Sequence, residues 1–210
     1  RIPTCPAGAA TRAFDVHAIT ANGQATYVLA SEKLYTGALS APPRELGSDL
    51  NNNGSLMFEP RPMVLRARAG ECIRVTLKNR LNAEALPPGV SAQVGLRPQL
   101  LSYDVTDDSG FNAGTNPVQT VGPGENIVYN WYAGLRTWTD GSIVDTPVEL
   151  GAVNLLPADE GQIAAGLFGA LVIEPSDAEW VVPMAGDRTN ARVASDCLLY
   201  TSPSPRDRYG

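Results

Sequence analysis

The side chains able to do chemistry are few, and their types restrict what they could do. The chain has one histidine, His17, three cysteines, Cys5, Cys72 and Cys197, and three methionines, Met57, Met63 and Met184. A mononuclear metal centre built from a thiolate, two imidazoles and a weak axial thioether asks for more histidine than this. A Ser-His-Asp arrangement has little room with one imidazole, and no Gly-X-Ser-X-Gly elbow is present. His17 sits mid-strand in parity with Asp15 and Ile19 and reads as a solvated strand residue. Asp104, Asp107 and Asp108 form one acidic group, and Glu149, Asp159 and Glu160 another. Paired carboxylates can do acid–base work, but in an acidic chain such turns read as solvated surface. Gly122-Pro123-Gly124 lacks the lysine and helix start of a phosphate cradle.

Asp49-Leu-Asn51-Asn-Asn53-Gly54 resembles the first half of a calcium loop, with oxygen ligands at alternating positions and a glycine for the turn. The twelfth position, however, is Pro60, and Glu59 falls one residue early. A polar turn is the expected reading. Asn53-Gly-Ser55 also matches a glycosylation sequon. Trp131, Tyr132 and Trp138 lie close together; the first two alternate faces, so one is expected in the core and one at the surface. An exposed aromatic here would offer a platform for a glycan.

These residues need a scaffold. Glycine (20) and proline (17) are plentiful and charged residues make up only 18%, which favours short strands joined by turns. A net charge of −6 argues against nucleic acid as a partner. No apolar run is long enough to suggest a membrane span. Ala13–Ile19 alternates, with Phe14, Val16 and Ala18 on one face. Asn22-Gly23 marks a turn, and Thr26–Leu29 reads as a second short strand. Ser31–Leu39 is expected to be a short helix, and 40–62 a long loop. Met63–Ala67 and Cys72–Asn79 are the strongest strand signals. Gly95–Val105, Asn126–Ala133, Val148–Leu155 and Gly166–Pro175 complete the set, with Ile127, Tyr129 and Trp131 sharing a face. This spacing indicates a β-sandwich with Greek-key connections.

The segment 197–207, Cys-Leu-Leu-Tyr-Thr-Ser-Pro-Ser-Pro-Arg-Asp, resembles the translation of a transposon mosaic-end adapter used in sequencing libraries. It is set aside from fold reasoning, and the natural protein is expected to continue past it. Two cysteines then remain. Cys72 shares its strand face with Arg74 and Thr76, opposite Ile73, Val75 and Leu77, so it lies where the N-terminal segment carrying Cys5 could reach it. A disulfide between them is the expectation for a secreted chain, with two unpaired thiols as the alternative.

Three segments together resemble the cupredoxin domain of multicopper oxidases: Pro62–Leu81 with its Ala69-Gly-Glu71 turn and terminal Asn79, Val121-Gly-Pro-Gly-Glu125 followed by Tyr129-Asn-Trp131-Tyr, and Gly166-Leu-Phe-Gly-Ala-Leu-Val-Ile-Glu-Pro175. Their order and spacing match, across roughly 12–180. Ser102-Tyr-Asp-Val105 adds a likeness to large bacterial secreted members. The resemblance implies an all-β, cupredoxin-like Greek-key sandwich over 12–182, with an N-terminal extension over 1–11 and a linker over 183–196; the adapter-like likeness assigns 197–210 to an adapter-derived segment. It also implies a secreted, periplasmic or extracellular protein, with downstream cupredoxin domains of the same chain as its partners.

In the copper-binding form of the domain, two His-X-His pairs reach a copper cluster, one before each of the second and third segments. Residues i and i+2 of a strand face the same side, which explains that spacing. Here the first location reads Val94-Gly-Leu-Arg97-Pro-Gln99 and the second Gly151-Ala-Val-Asn154-Leu-Leu-Pro-Ala-Asp159. Neither holds histidine; a guanidinium stays protonated, and amides or a carboxylate are poor substitutes for imidazole at copper. Copper is therefore implied for a full-length parent, with no catalytic or metal-binding residue in this piece. A non-enzymatic secreted or cell-surface binding module is the alternative.

Overall fold

The computed structural model describes residues 4–21, 23–35, 44–47, 62–181 and 192–194. The strands in chain order are β1 (Thr11–Ala21), β2 (Gln24–Tyr35), β3 (Arg44–Gly47), β4 (Met63–Arg68), β5 (Cys72–Arg80), β6 (Arg97–Pro98), β7 (Ser102–Tyr103), β8 (Asn126–Tyr132), β9 (Gly134–Thr139), β10 (Ser142–Pro147), β11 (Gly151–Leu156), β12 (Gly169–Glu174), β13 (Glu179–Val181) and β14 (Arg192–Ala194). A five-residue helix, α1 (Glu160–Ala164), sits between β11 and β12. The calcium-like loop, the sequon, most of the 40–62 loop, Met57, Met184 and the adapter-like segment lie outside the described residues.

Two sheets form the sandwich, one ordered β3-β2-β1-β5-β8-β7 and the other β4-β12-β11-β6. The chain crosses repeatedly between them, and each is mixed: β1 runs parallel to β5, and β12 parallel to β4. This is the all-β, cupredoxin-like Greek-key sandwich expected from the sequence. Strand alternation decides what fills it. Phe14, Val16, Ile73, Val75, Leu77, Tyr129 and Trp131 face inward from the larger sheet, and Met63, Leu65, Val153, Leu155, Leu171 and Ile173 meet them from the smaller. Tyr129 and Trp131, two apart on β8, stack with ring centroids 6.0 Å apart.

The three motifs do identifiable structural work. Asn79 is fully buried; its Nδ2 donates to Ala92 O and Val121 O, both at 2.8 Å, and its Oδ1 accepts from Leu81 N. Its backbone is tied to the second motif, with Gly124 N donating to Asn79 O and Asn79 N to Glu125 O. Glu125 Oε2 closes that turn by accepting from Gly122 N at 2.7 Å. Gly124 takes φ +88°, which a side chain would resist. In the third motif Gly166, at φ +110°, passes so close to β2 that a Cβ would fall 2.3 Å from Ala25 O.

Several local expectations are corrected. Of the helix expected over 31–39, residues 31–35 are instead the end of β2, which pairs with β1 as far as Tyr35 and also with β3; 36–39 lie outside the described residues. Pairing on both edges overrides a weak local preference. The single strand expected over 95–105 is split into β6 and β7, which join different sheets. Leu100, at φ +63°, turns the chain between them. The β9–β10 hairpin and α1 add elements where none was expected. The strand expected over 148–155 starts three residues later, at Gly151.

Candidate functional site

The two segments that would carry ligand pairs are brought together. β6 is the edge strand beside β11, with Leu155 opposite Pro98 and Leu156 opposite Arg97. Gln99 N extends the ladder by donating to Asn154 O at 3.1 Å. Pro98 and Leu155 are buried, so alternation turns Arg97, Gln99, Asn154 and Leu156 to the outer face of the smaller sheet. That is the i, i+2 spacing on each of two adjacent strands from which four side chains could converge on one point.

The residues present do not converge on a metal. Asn154 Nδ2 donates to Gln99 Oε1 at 3.0 Å, so the two amides bond to each other. The Arg97 guanidinium lies over the Phe111 ring, 5.0 Å from its centroid, a cation–π contact. A guanidinium has no lone pair to offer a cation, and its charge repels one. Asp159 is engaged elsewhere: it is the N-cap of α1, its Oδ1 accepting from Gly161 N at 2.8 Å. Copper, which the resemblance implies for a parent protein, does not fit this donor set. Among the described residues no group of three or more His, Cys, Asp or Glu could hold a metal ion.

Cys5 and Cys72 form a disulfide, with Cα atoms 5.6 Å apart. It clamps the N-terminal segment over the outer face of the larger sheet. This also corrects the expectation for Trp131 and Tyr132: both are buried, at 0% and 2% exposure. Tyr132 lies opposite both Cys72 and Ser102, with Gly134 against its ring. Trp138, 68% exposed, is the aromatic left at the surface.

Next to the disulfide, where Glu71 precedes Cys72, lies an ionic cluster. Arg12 is fully buried and meets Glu71 through two bonds, Nε to Oε2 at 2.7 Å and Nη2 to Oε1 at 2.9 Å. Its Nη1 donates to Glu32 Oε1 at 2.7 Å. Glu71 also accepts from Arg68 N. Burial raises the Glu32 carboxyl above its usual range; Arg12 pulls it down, and Glu71 adds to the rise. The signal was available: Arg12 has the parity of Phe14, Val16 and Ala18, so it points inward and needs a buried partner.

The remaining candidates are structural. His17 is less solvated than expected: its side chain is 19% exposed, with Nε2 3.4 Å from Asp15 Oδ1. Lys78 Nζ reaches the other Asp15 oxygen at 2.7 Å. Burial works to raise the Asp15 carboxyl, but His17 and Lys78 outweigh it and hold it below the usual range. Asp108 does not behave as a solvated turn residue, being 4% exposed. Its carboxylate accepts from Asn130 N at 2.8 Å and Thr4 Oγ1 at 3.0 Å. Burial pushes its carboxyl up, and these hydrogen bonds offset only part of the rise. Asp104 caps its own turn by accepting from Thr106 N and Oγ1. Glu149 is exposed. No helix among the described residues is long and apolar enough to cross a membrane.

Comparison with known proteins gives the following. No family model matches the chain. It is 29% identical over 148 residues to a probable nitrite reductase–hydroxylamine oxidoreductase fusion protein of Kuenenia stuttgartiensis, a match covering 66% of this chain and 15% of the relative. The chain thus spans a small part of the curated relative it matches. Among solved structures it is similar to a multi-copper oxidase from Pseudomonas thermotolerans, at 15% identity and TM-score 0.45, covering 80% of this chain and 30% of that one. It is also similar to the copper nitrite reductase of Nitrosomonas europaea, at 15% identity and TM-score 0.40, covering 80% of this chain and 42% of that one.

Proposed function

We propose that this chain is a cupredoxin-type domain, without copper-ligand positions of its own, that is structural within a larger secreted multicopper-oxidase-like protein. The observation that carries the reading is the β6–β11 pairing. It juxtaposes the two segments that hold ligand pairs in the copper-binding form, and here they present Arg97, Gln99, Asn154 and Leu156. The ordered motifs and the similarity to part of a nitrite reductase fusion protein support it. The Cys5–Cys72 disulfide fits an oxidising compartment. The parent couples oxidation of a substrate to reduction of O2, with copper ligands supplied by downstream cupredoxin domains of the same chain. This piece contributes scaffold, with 183–196 as the linker toward those domains.

The second reading is a non-enzymatic secreted or cell-surface module that keeps the sandwich for binding. The exposed apolar residues of the β9–β10 hairpin favour it. Reading the complete gene past residue 197 separates the two. A downstream domain with a His-Cys-His cluster, a following methionine and His-X-His pairs is the expected result. An early stop, or further β domains equally poor in histidine, would overturn the oxidase reading in favour of the binding module.

A further inference from the structure

Most arginines with a half-buried or buried guanidinium in this sandwich face a carboxylate. Arg12 meets Glu71 and Glu32, and Arg136 meets Asp145. Arg97 has no such partner among the described residues. Its Nε is shielded from solvent and makes no hydrogen bond, and Nη1 and Nη2 find no acceptor in the fold. A guanidinium is always charged and carries five N–H donors. Partly desolvating one while its donors stay unmade costs free energy that an anion would offset.

The chain holds this cation in place. Phe111, whose ring it covers, follows Gly110 on the loop between β7 and β8. That loop is pressed onto the backbone just before β6: a Cβ on Gly95 would run into Gly110 O, and one on Gly110 into Leu96 O. Both glycines are buried, so the ring beside Arg97 has a fixed base. A cation–π contact positions a guanidinium and takes none of its donors.

The surrounding surface favours negative charge. On the outer face of the smaller sheet, β4 turns out Val64, Arg66 and Arg68, β12 turns out Ala170, Val172 and Glu174, β11 turns out Ala152, Asn154 and Leu156, and β6 turns out Arg97. Three arginines thus stand against one carboxylate, and Glu174 is already bonded to Arg66. The chain as a whole has a net charge of −6, so this basic face runs against the overall balance.

We propose that Arg97 binds a small carboxylate anion, at the place where the copper-binding form of the domain gathers a cation. A carboxylate presents two oxygens at the spacing of paired guanidinium donors. Gln99, whose Oε1 is taken by Asn154, keeps Nε2 as a further donor two residues along the same face. Leu156, opposite Arg97, and the Phe111 ring supply apolar surface for the ligand's carbon. The site depends on the contacts of Arg97 and holds whichever parent the complete gene specifies.

Acetate is the probe. The isotope-labelled, tag-free 210-residue chain is titrated with sodium acetate to about 50 mM, with sodium chloride replaced at constant ionic strength, and followed by NMR of the arginine Nε–H and backbone amides. The expected result is a saturable shift of the Arg97 Nε–H and the Phe111 amide with a Kd of about 1–10 mM, which chloride alone does not produce. Arg97→Met keeps an apolar contact on the ring and the wild-type backbone spectrum, and abolishes the saturable shift at Phe111. Arg80→Met, which removes an exposed arginine at the end of β5, leaves the Kd unchanged. A wild-type response that never saturates would overturn the proposal. So would an Arg97→Met variant that still saturates with the wild-type Kd, or an Arg80→Met variant that loses binding as Arg97→Met does.

Discussion

Two polar clusters in this sandwich have opposite characters. At one corner the buried Arg12 and Glu71 and the partly buried Glu32 lie beside the Cys5–Cys72 disulfide, and all three guanidinium nitrogens have carboxylate partners. On the β6–β11 face, Arg97 lies over a ring, and Asn154 donates to Gln99. A buried charge left without its partner costs several kcal/mol, so the first cluster resists change. Outward-facing side chains can be exchanged at little cost to the fold. Residues that look capable of chemistry are thus fixed by structure at the corner, whereas the face that the fold offers to chemistry is free to carry none.

The sharpest way to break the comparison is to cut the corner. Arg12→Ala strands the buried Glu71 carboxylate and the partly buried Glu32, and is expected to cost about 3–5 kcal/mol, measured by denaturant unfolding. A loss below about 1 kcal/mol would show that the corner is no more constrained than the face. Replacing both Cys5 and Cys72 by serine comes next. The bridge closes a span of 67 residues, and its loss is expected to lower stability by about 2–4 kcal/mol.

The face should tolerate far more. Arg97→His, Gln99→His, Asn154→His and Leu156→His together place imidazoles at i and i+2 on two adjacent strands. The combined variant is expected to stay within about 1 kcal/mol of the wild type in unfolding measurements. A loss matching that of Arg12→Ala would erase the contrast.

The smallest effect is on pH dependence. Burial raises the Asp108 carboxyl, so the folded chain holds that proton more tightly than the unfolded chain does. This group's contribution to stability is therefore largest below the unfolded pKa and is lost as pH rises through the folded pKa. Asp15 runs the other way: its lowered pKa gives stability present above the unfolded value and lost as pH falls through the folded one. Asp108→Asn should remove only the first dependence, making the variant's melting temperature fall more steeply than the wild type's on acidification from neutral pH. Parallel curves would show that Asp108 is not the group responsible.

The sandwich was legible because its three motifs are local and regular. Alternation in Cys72–Asn79 and Asn126–Ala133 names the core face directly, and Asn79 and Glu125 are the residues that lock those turns. What escaped depends on distant partners. Arg12 is bonded to Glu71 across 59 residues, and nothing near Arg12 in the chain announces the pair except its inward parity. β2 runs on to Tyr35 because β1 and β3 pair with it, which local propensity over 31–39 does not record. Tyr132 is buried although it alternates with the core-facing Trp131, and Gly134, Arg136 and Asp145 of the β9–β10 hairpin lie near its ring. The candidate face was legible as two stretches lacking histidine; that they become neighbouring strands is known only from the pairing of β6 with β11.

The most direct test of the central claim is a copper titration of the tag-free chain beside the four-histidine variant, read by metal content after dialysis. The wild type, whose one histidine is His17, is expected to hold no stoichiometric copper, and the variant to hold it stoichiometrically. Tight one-to-one copper on the wild type would contradict it.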